Sequence, residues 1–236
     1  MTALRSHPNP LLRSLVPPDG IESPEMYYRF MRRMCHVFIA TWWKVRVFNR
    51  HYEPHAGGAV YVSNHQSFMD PMLVGMALRR PMNFMARDSL FRTPGFRHLI
   101  ESLNTFPVKR GTADTKALKE AMRRLKAGKQ VLVFPEGTRT RDGRIGPFLP
   151  GVAVPARRAA EWIVPVVIDG AFEAWPRTSI LPRPGSVVVQ YARPIPRAGA
   201  RRLQPANLVR RVRDKIIEMQ TEVRRRVGRP ALNYDD

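Results

Sequence analysis

Ala59-Val60-Tyr61-Val62-Ser63-Asn64-His65-Gln66-Ser67-Phe68-Met69-Asp70-Pro71 decides how this chain folds. Its first four residues are apolar and rich in strand formers, which predicts a buried strand. Asp70-Pro71 predicts a helix start, with a carboxylate at the N-cap, proline at the first helical position, and Met72, Leu73, Met76 and Ala77 following. His65 then falls in the turn after a strand, at the edge where open α/β sheets place their ligands. A histidine whose ring is held by a carboxylate is equipped to take a proton from a hydroxyl. A lone His-Asp pair in a turn also serves structure alone, so the rest of the chain must weigh in.

Gln130-Val131-Leu132-Val133-Phe134 is a second apolar run, and it ends in Pro135-Glu136-Gly137-Thr138-Arg139. Polar groups again follow the carboxyl end of a strand. Gly137 lets the backbone approach a ligand closely, and Arg139 offers a planar fork suited to phosphate oxygens. Standing alone, the same residues describe a tight turn with a solvated arginine.

Together, N-H-Q-S-x-x-D and the later F-P-E-G-T-R resemble the lysophosphatidic acid acyltransferase family of glycerolipid acyltransferases. Two weaker blocks agree: Phe84-Met85-Ala86-Arg87 with Pro94-Gly95-Phe96, leading to Phe106-Pro107-Val108-Lys109-Arg110-Gly111, and Ile163-Val164-Pro165-Val166-Val167-Ile168. The resemblance runs from about Phe48 to Tyr191. It implies acyl transfer from acyl-CoA or acyl carrier protein to the free hydroxyl of lysophosphatidic acid, with no cofactor. It assigns catalysis to His65 and Asp70, and the acceptor's phosphate to Arg110, Glu136, Gly137, Thr138 and Arg139. Two positions depart from the family pattern. Arg87 stands where lysine is common, and Pro147-Phe148-Leu149-Pro150-Gly151 lacks the usual cation, which leaves another acceptor such as lyso-ornithine lipid open.

The chain has 236 residues, 44% of them hydrophobic, enough for one α/β domain with a sizeable core. We expect a mostly parallel central sheet flanked by helices. The single cysteine, Cys35, excludes an internal disulfide, and the six histidines show no metal-site spacing. Forty Lys and Arg against 19 Asp and Glu give a net charge of +21, which implies an anionic partner. No helix-turn-helix, zinc-finger or RNA-binding signature is present, so an anionic membrane surface is favoured over nucleic acid.

Residues 1–23 carry proline, arginine, Asp19 and Glu22 without an apolar core, unlike a signal or transit segment, and are expected to form a poorly ordered arm. From Pro24 to Lys44 the pattern becomes that of an amphipathic helix. Tyr27, Phe30, Trp42 and Trp43 are its expected membrane contacts, among Arg29, Arg32, Arg33 and Lys44. Its longest uncharged run, Met34 to Trp43, is about half the roughly 20 residues a spanning helix needs. The expected placement is therefore peripheral, on the cytoplasmic face of the membrane. The same aromatics would equally suit packing on the sheet.

The acyltransferase domain is expected over residues 45–230. Val45 to Tyr52 suggests a first strand, Asp114 to Lys126 a helix stopped at Gly128, and Val187 to Tyr191 a late strand. Leu208, Val212, Ile216, Met219, Val223 and Val227 recur at helical spacing. They define a closing helix whose Arg210, Arg211, Arg213, Arg224, Arg225 and Arg226 should be solvated or lipid-facing. Two other classes stay open. A serine hydrolase using Ser67 lacks the G-x-S-x-G elbow, and a non-catalytic basic membrane-binding module has no use for His65 and Asp70 together.

Overall fold

The computed structural model describes residues 26–109 and 114–234. The arm expected over residues 1–23 lies outside the described residues, as does Arg110. In chain order the elements are α1 (Met26–Trp42), β1 (Trp43–Phe48), β2 (Ala59–Ser63), α2 (Asp70–Gly75), β3 (Met82–Arg87), α3 (Pro94–Ser102), β4 (Thr105–Val108) and α4 (Thr115–Lys126). The second half adds β5 (Gln130–Val133), α5 (Ala153–Arg158), β6 (Trp162–Asp169), α6 (Ala171–Ala174), β7 (Gly185–Tyr191), β8 (Ile195–Pro196), α7 (Arg197–Arg202) and α8 (Pro205–Arg226).

The strands form one sheet in the order β1-β7-β6-β2-β5-β3-β4, with β8 on β6. Pairing is parallel from β6 through β2, β5 and β3 to β4, and β1 runs parallel to β7. Only β7 and β8 run antiparallel to their neighbour β6. The apolar run Ala59–Val62 takes the centre because every side chain in it is buried. Alternate residues feed opposite layers, as the two-residue period of a strand dictates. Val60, Val62, Val131, Val133 and Ile163 pack under α4, α5 and α8. Ala59, Tyr61, Leu132, Val164 and Val166 pack under α1, α2 and α6.

Local chemistry sets the helix limits. Asp114 caps α4 by accepting from the amides of Lys116 and Ala117, both at 3.0 Å, and Gly128 ends the turn at φ 78°. In α8, Leu208, Val212, Ile216, Met219 and Val223 are buried on the sheet. Each such side chain contributes roughly 1.5–3 kcal/mol on burial.

Two sequence expectations fail here. The first strand starts at Trp43 and ends at Phe48, so the N-terminal helix stops short of Lys44; pairing of Trp43–Phe48 with Gly185–Gln190 takes these residues into the sheet. The arginines of α8 are not uniformly solvated either. Arg224 is buried and pairs with Asp169 at 2.9 Å, and Arg213 donates to the carbonyls of Gly146 and Ile145 at 2.8 and 2.9 Å. Both bridge α8 to the sheet and its loops.

Candidate active site

β2 lies between β5 and β6, with Val62 opposite Val133 and Ser63 opposite Val166. The loops leaving β2 and β5 therefore emerge side by side at the carboxyl edge. The two sequence motifs meet there: His65 N donates to Glu136 Oε1 at 2.8 Å, and Thr140 N donates to His65 O at 2.8 Å.

The residues flanking His65 hold its loop. Asn64 extends the pairing of β2 onto β6, donating to Ile168 O and accepting from Ile168 N, both at 2.8 Å. Gln66 accepts from the amides of Ala171 and Phe172 at 3.1 and 3.2 Å and donates to Gly143 O at 3.2 Å. Asp70 begins α2, and its Oδ2 accepts from Gln66 N at 2.5 Å, Ser67 N at 2.8 Å and His65 Nδ1 at 2.8 Å. With Nδ1 donating to the carboxylate, Nε2 carries the lone pair. That nitrogen makes no hydrogen bond among the described residues. The imidazole stacks on Phe134, with centroids 4.1 Å apart and planes 16° from parallel. His65 is 7% exposed and Asp70 fully buried, so the pair works in a largely dry setting. Ser67 is fully buried, and its hydroxyl accepts from Met69 N at 3.4 Å, a turn contact rather than a nucleophile's position.

The F-P-E-G-T-R turn divides its labour differently from the expectation. Glu136 is not free to meet a phosphate. Oε1 holds the His65 amide, Oε2 accepts from Gly146 N at 3.0 Å, and a carboxylate would repel the anion. Burial, with a smaller push from Asp70, raises its pKa to about 7 against the pull of both amides and Arg213. Gly137 adopts φ 68°, and a side chain there would meet Leu149 at 3.1 Å; its own amide closes the turn onto Phe134 O at 3.0 Å. Thr138 is exposed. Arg139 is half-buried, and its guanidinium makes no ion pair among the described residues. Burial foremost, then the charge of Arg177, lowers its pKa, while Asp70 opposes both. Arg139 is thus a cation within electrostatic reach of the dyad and of a second cation.

An apolar cavity of about 290 Å³ opens beside Phe134, lined among others by Met85, Val108, Leu118, Val133 and Leu149. Phe134 separates this cavity from the imidazole. Of the expected membrane contacts, Tyr27, Phe30 and Trp42 lie on α1, with Phe30 57% and Trp42 39% exposed. Trp43 does not join them. It is 4% exposed, donates from Nε1 to Arg183 O at 2.8 Å and packs against Trp175 at 6.2 Å. The strand geometry of β1 turns it into the core. Among the described residues no helix is long and apolar enough to cross a membrane.

The sequence reading missed the supporting parts. Asn64 and Gln66 bind segments more than 70 residues away, and nothing in their own neighbourhood announces that. Phe134 gave a signal as the end of an apolar run and the first residue of F-P-E-G-T-R, but not as the ring that stacks on His65, and the cavity gave none.

The fold is a mostly parallel α/β sheet with a carboxylate-held histidine, a neighbouring cation and an apolar cavity at its carboxyl edge, an arrangement that can take a proton from a hydroxyl beside an apolar group. The sequence profile of the Acyltransferase family matches residues 44–169, more than half of the chain, and the chain belongs to that family. It is 32% identical over 160 residues to the chloroplastic 1-acyl-sn-glycerol-3-phosphate acyltransferase of Arabidopsis thaliana, covering 63% of this chain and 45% of that one. The 1-acyl-sn-glycerol-3-phosphate acyltransferase of Bacillus subtilis is 26% identical over 144 residues, covering 61% and 71%. The chain spans about half the length of the plant relatives it matches. The fold resembles the crystal structure of the 1-acyl-sn-glycerophosphate acyltransferase of Thermotoga maritima, with a TM-score of 0.75 at 24% identity, covering 91% of this chain and 86% of that one.

Proposed function

We propose that this chain moves a fatty acyl group from acyl-CoA or acyl carrier protein to the free hydroxyl of lysophosphatidic acid, giving phosphatidic acid, as a peripheral protein on an anionic membrane surface at the cytoplasmic face. The observation that carries this reading is the imidazole pinned at Nδ1 by Asp70 at 2.8 Å, with Nε2 unclaimed, above a wall of an apolar cavity. Nε2 takes the hydroxyl proton as the oxygen bonds to the thioester carbonyl. The tetrahedral intermediate then expels the thiolate, which recovers the proton from the imidazolium. General-base catalysis of this kind contributes roughly 10²–10⁴-fold. The cavity suits the donor's acyl chain. Arg139 suits the acceptor's phosphate, with Arg110 and Thr138 assigned beside it by the family pattern.

The plant and Bacillus relatives bear the acylglycerol-phosphate name, which favours that acceptor over lyso-ornithine lipid. The test is incubation with labelled acyl-CoA, or acyl carrier protein, and a panel of lysolipids with and without a phosphomonoester. Phosphatidic acid formation by the parent and its loss in His65→Ala are expected. Equal use of acceptors lacking phosphate would overturn the acceptor assignment. Arg139→Ala should raise the KM for lysophosphatidic acid by roughly tenfold or more, from the 1.5–3 kcal/mol of a charge-assisted hydrogen bond. The KM for the donor should stay unchanged.

A further inference from the structure

Ile180 and Leu181 are 90% and 72% exposed, among the most exposed large apolar residues described. They stand at the tip of a loop that is tied at its base and along its length. Arg183 N donates to Ala174 O at 2.8 Å, Trp175 Nε1 to Ser179 O at 3.1 Å, and Ser179 N to Pro176 O at 3.1 Å; the Ser179 hydroxyl bonds Leu181 O at 2.8 Å. The backbone is therefore held in a shape that points two branched apolar side chains outward.

The charge around the tip is one-signed. Arg177 and Arg183 flank it, both exposed, and neither forms an ion pair among the described residues. The sequence has no Asp or Glu between Glu173 and Asp214. Apolar side chains between unpaired cations suit the head-group region of an anionic leaflet, where acyl chains lie below lipid phosphates. Two projecting side chains are far too little for a stable protein interface, which buries on the order of 800 Å² per partner.

The loop is also joined to the two surfaces that matter. Trp43, bonded to Arg183 O, packs on Phe38 at 6.4 Å, and Phe38 lies 6.5 Å from Trp42 on the exposed face of α1. Trp175, at the loop's other end, packs on Phe68 at 6.2 Å, and Phe68 belongs to the loop that carries His65 and is 45% exposed. Arg177 is the cation whose field reaches Arg139. The tip, the α1 stripe and the catalytic loop thus converge on Trp43 and Trp175.

We propose that the loop from Pro176 to Pro184 inserts Ile180 and Leu181 into the bilayer as a second anchor, so that α1 and this tip together seat the mouth of the site on an anionic surface. The proposal rests on the peripheral-membrane reading above and adds the part of the molecule that inserts. It is tested on the full chain in a Cys35→Ala background, with Ile180→Cys carrying an environment-sensitive fluorophore. Vesicles of phosphatidylcholine, with and without phosphatidylglycerol, are added. A blue-shifted, brightened emission on the anionic vesicles, quenched by spin-labelled acyl chains, is expected. Ile180→Ser/Leu181→Ser should lower partitioning onto those vesicles by about tenfold and leave thermal unfolding unchanged, since both side chains face solvent. Phe30→Ser/Trp42→Ser serves as the α1 reference. An unshifted emission on vesicles that the protein does bind, or parent-like partitioning of the loop variant beside a weakened α1 variant, overturns the loop anchor and spares the membrane reading. Absence of vesicle binding by the parent overturns both. A dimer that dissociates in the loop variant would assign the tip to self-association and overturn the proposal too.

Discussion

Asp70 Oδ2 gathers three N–H donors from residues 65 to 67, so one carboxylate sets both the loop shape and the imidazole tautomer. Asparagine in its place can keep an oxygen at that point, but a neutral one that leaves the imidazolium formed in the reaction without its counter-charge. Asp70→Asn should therefore lower kcat by roughly 10²-fold or more while KM moves little, because the carboxylate that fixes the tautomer and stabilises the imidazolium is gone. His65→Ala should lose the whole general-base contribution with the fold intact, and Ser67→Ala should cost little. A dead Ser67→Ala enzyme would revive the hydrolase class. Glu136 gives a second residue-scale expectation. Its folded pKa of about 7 lies above the ordinary carboxylate value, chiefly through burial, so between roughly pH 4.5 and 7 the folded state holds a proton that the unfolded chain releases. This contribution to stability is complete below the lower limit and is lost as pH rises through 7. Urea unfolding at pH 5 and pH 8 should show the parent losing about 2–3 kcal/mol more than Glu136→Gln over that interval, from 1.36 kcal/mol per pKa unit. An identical pH response in the two proteins would refute it. The dyad was legible because both members lie within one short motif. The amide partners of Glu136, His65 N and Gly146 N, were not legible, because sequence does not reveal which backbone groups a side chain will face.

At the scale of elements, periodicity located the buried strands β2 and β5 and the helices α4 and α8, since each has a strong apolar pattern. It failed where one pattern meets another. Phe38, Trp42 and Trp43 follow one another within six residues, yet the helix ends between the two tryptophans. One is left half in solvent and the other is turned inward against Trp175. The pairing of β1 with β7 decides this, and β7 lies 140 residues on, out of reach of a local reading. The two tryptophans should therefore separate cleanly on mutation. Trp43→Ala should destabilise the fold by about 3–5 kcal/mol, the usual cost of emptying an aromatic core site, visible as a lowered Tm. Trp42→Ala should leave Tm nearly unchanged and weaken pelleting with anionic vesicles. A swapped pattern would mean that α1 packs differently from the arrangement described. Arg224 teaches the same lesson on α8. A basic stripe looks solvated until Asp169, at the end of β6, is placed beneath it.

For the molecule as a whole, the parallel centre of the sheet gathers the ends of β2, β5, β3, β4 and β6 at one edge, and the site, the cavity and the cations all assemble there. The net charge of +21 suits the anionic surface proposed above, and on that reading the exposed stripe of α1 would set which side of the molecule faces it. The cavity is the feature that only the assembled molecule possesses. Its walls come from β3, β4, α4, β5, the turn from Phe134 to Gly137 and the segment from Leu149 to Pro155, and no one of these segments announces a cavity by itself. If the donor's acyl chain lies there, its depth should govern which chains are transferred. Leu118 is the side chain to vary, since it lines the cavity from α4 and is only half-buried, so changes there spare the core. Leu118→Trp should cut kcat/KM for long-chain acyl-CoA while leaving short chains close to parental, and Leu118→Ala should shift preference toward longer chains. One methylene in an apolar pocket is worth about 1–3 kcal/mol of discrimination, so several methylenes displaced by an indole should move the long-to-short ratio by at least tenfold. The measurement is competition between labelled acyl-CoA chains of graded length with lysophosphatidic acid held constant. Equal losses for every chain length in Leu118→Trp would show that the cavity does not hold the acyl chain.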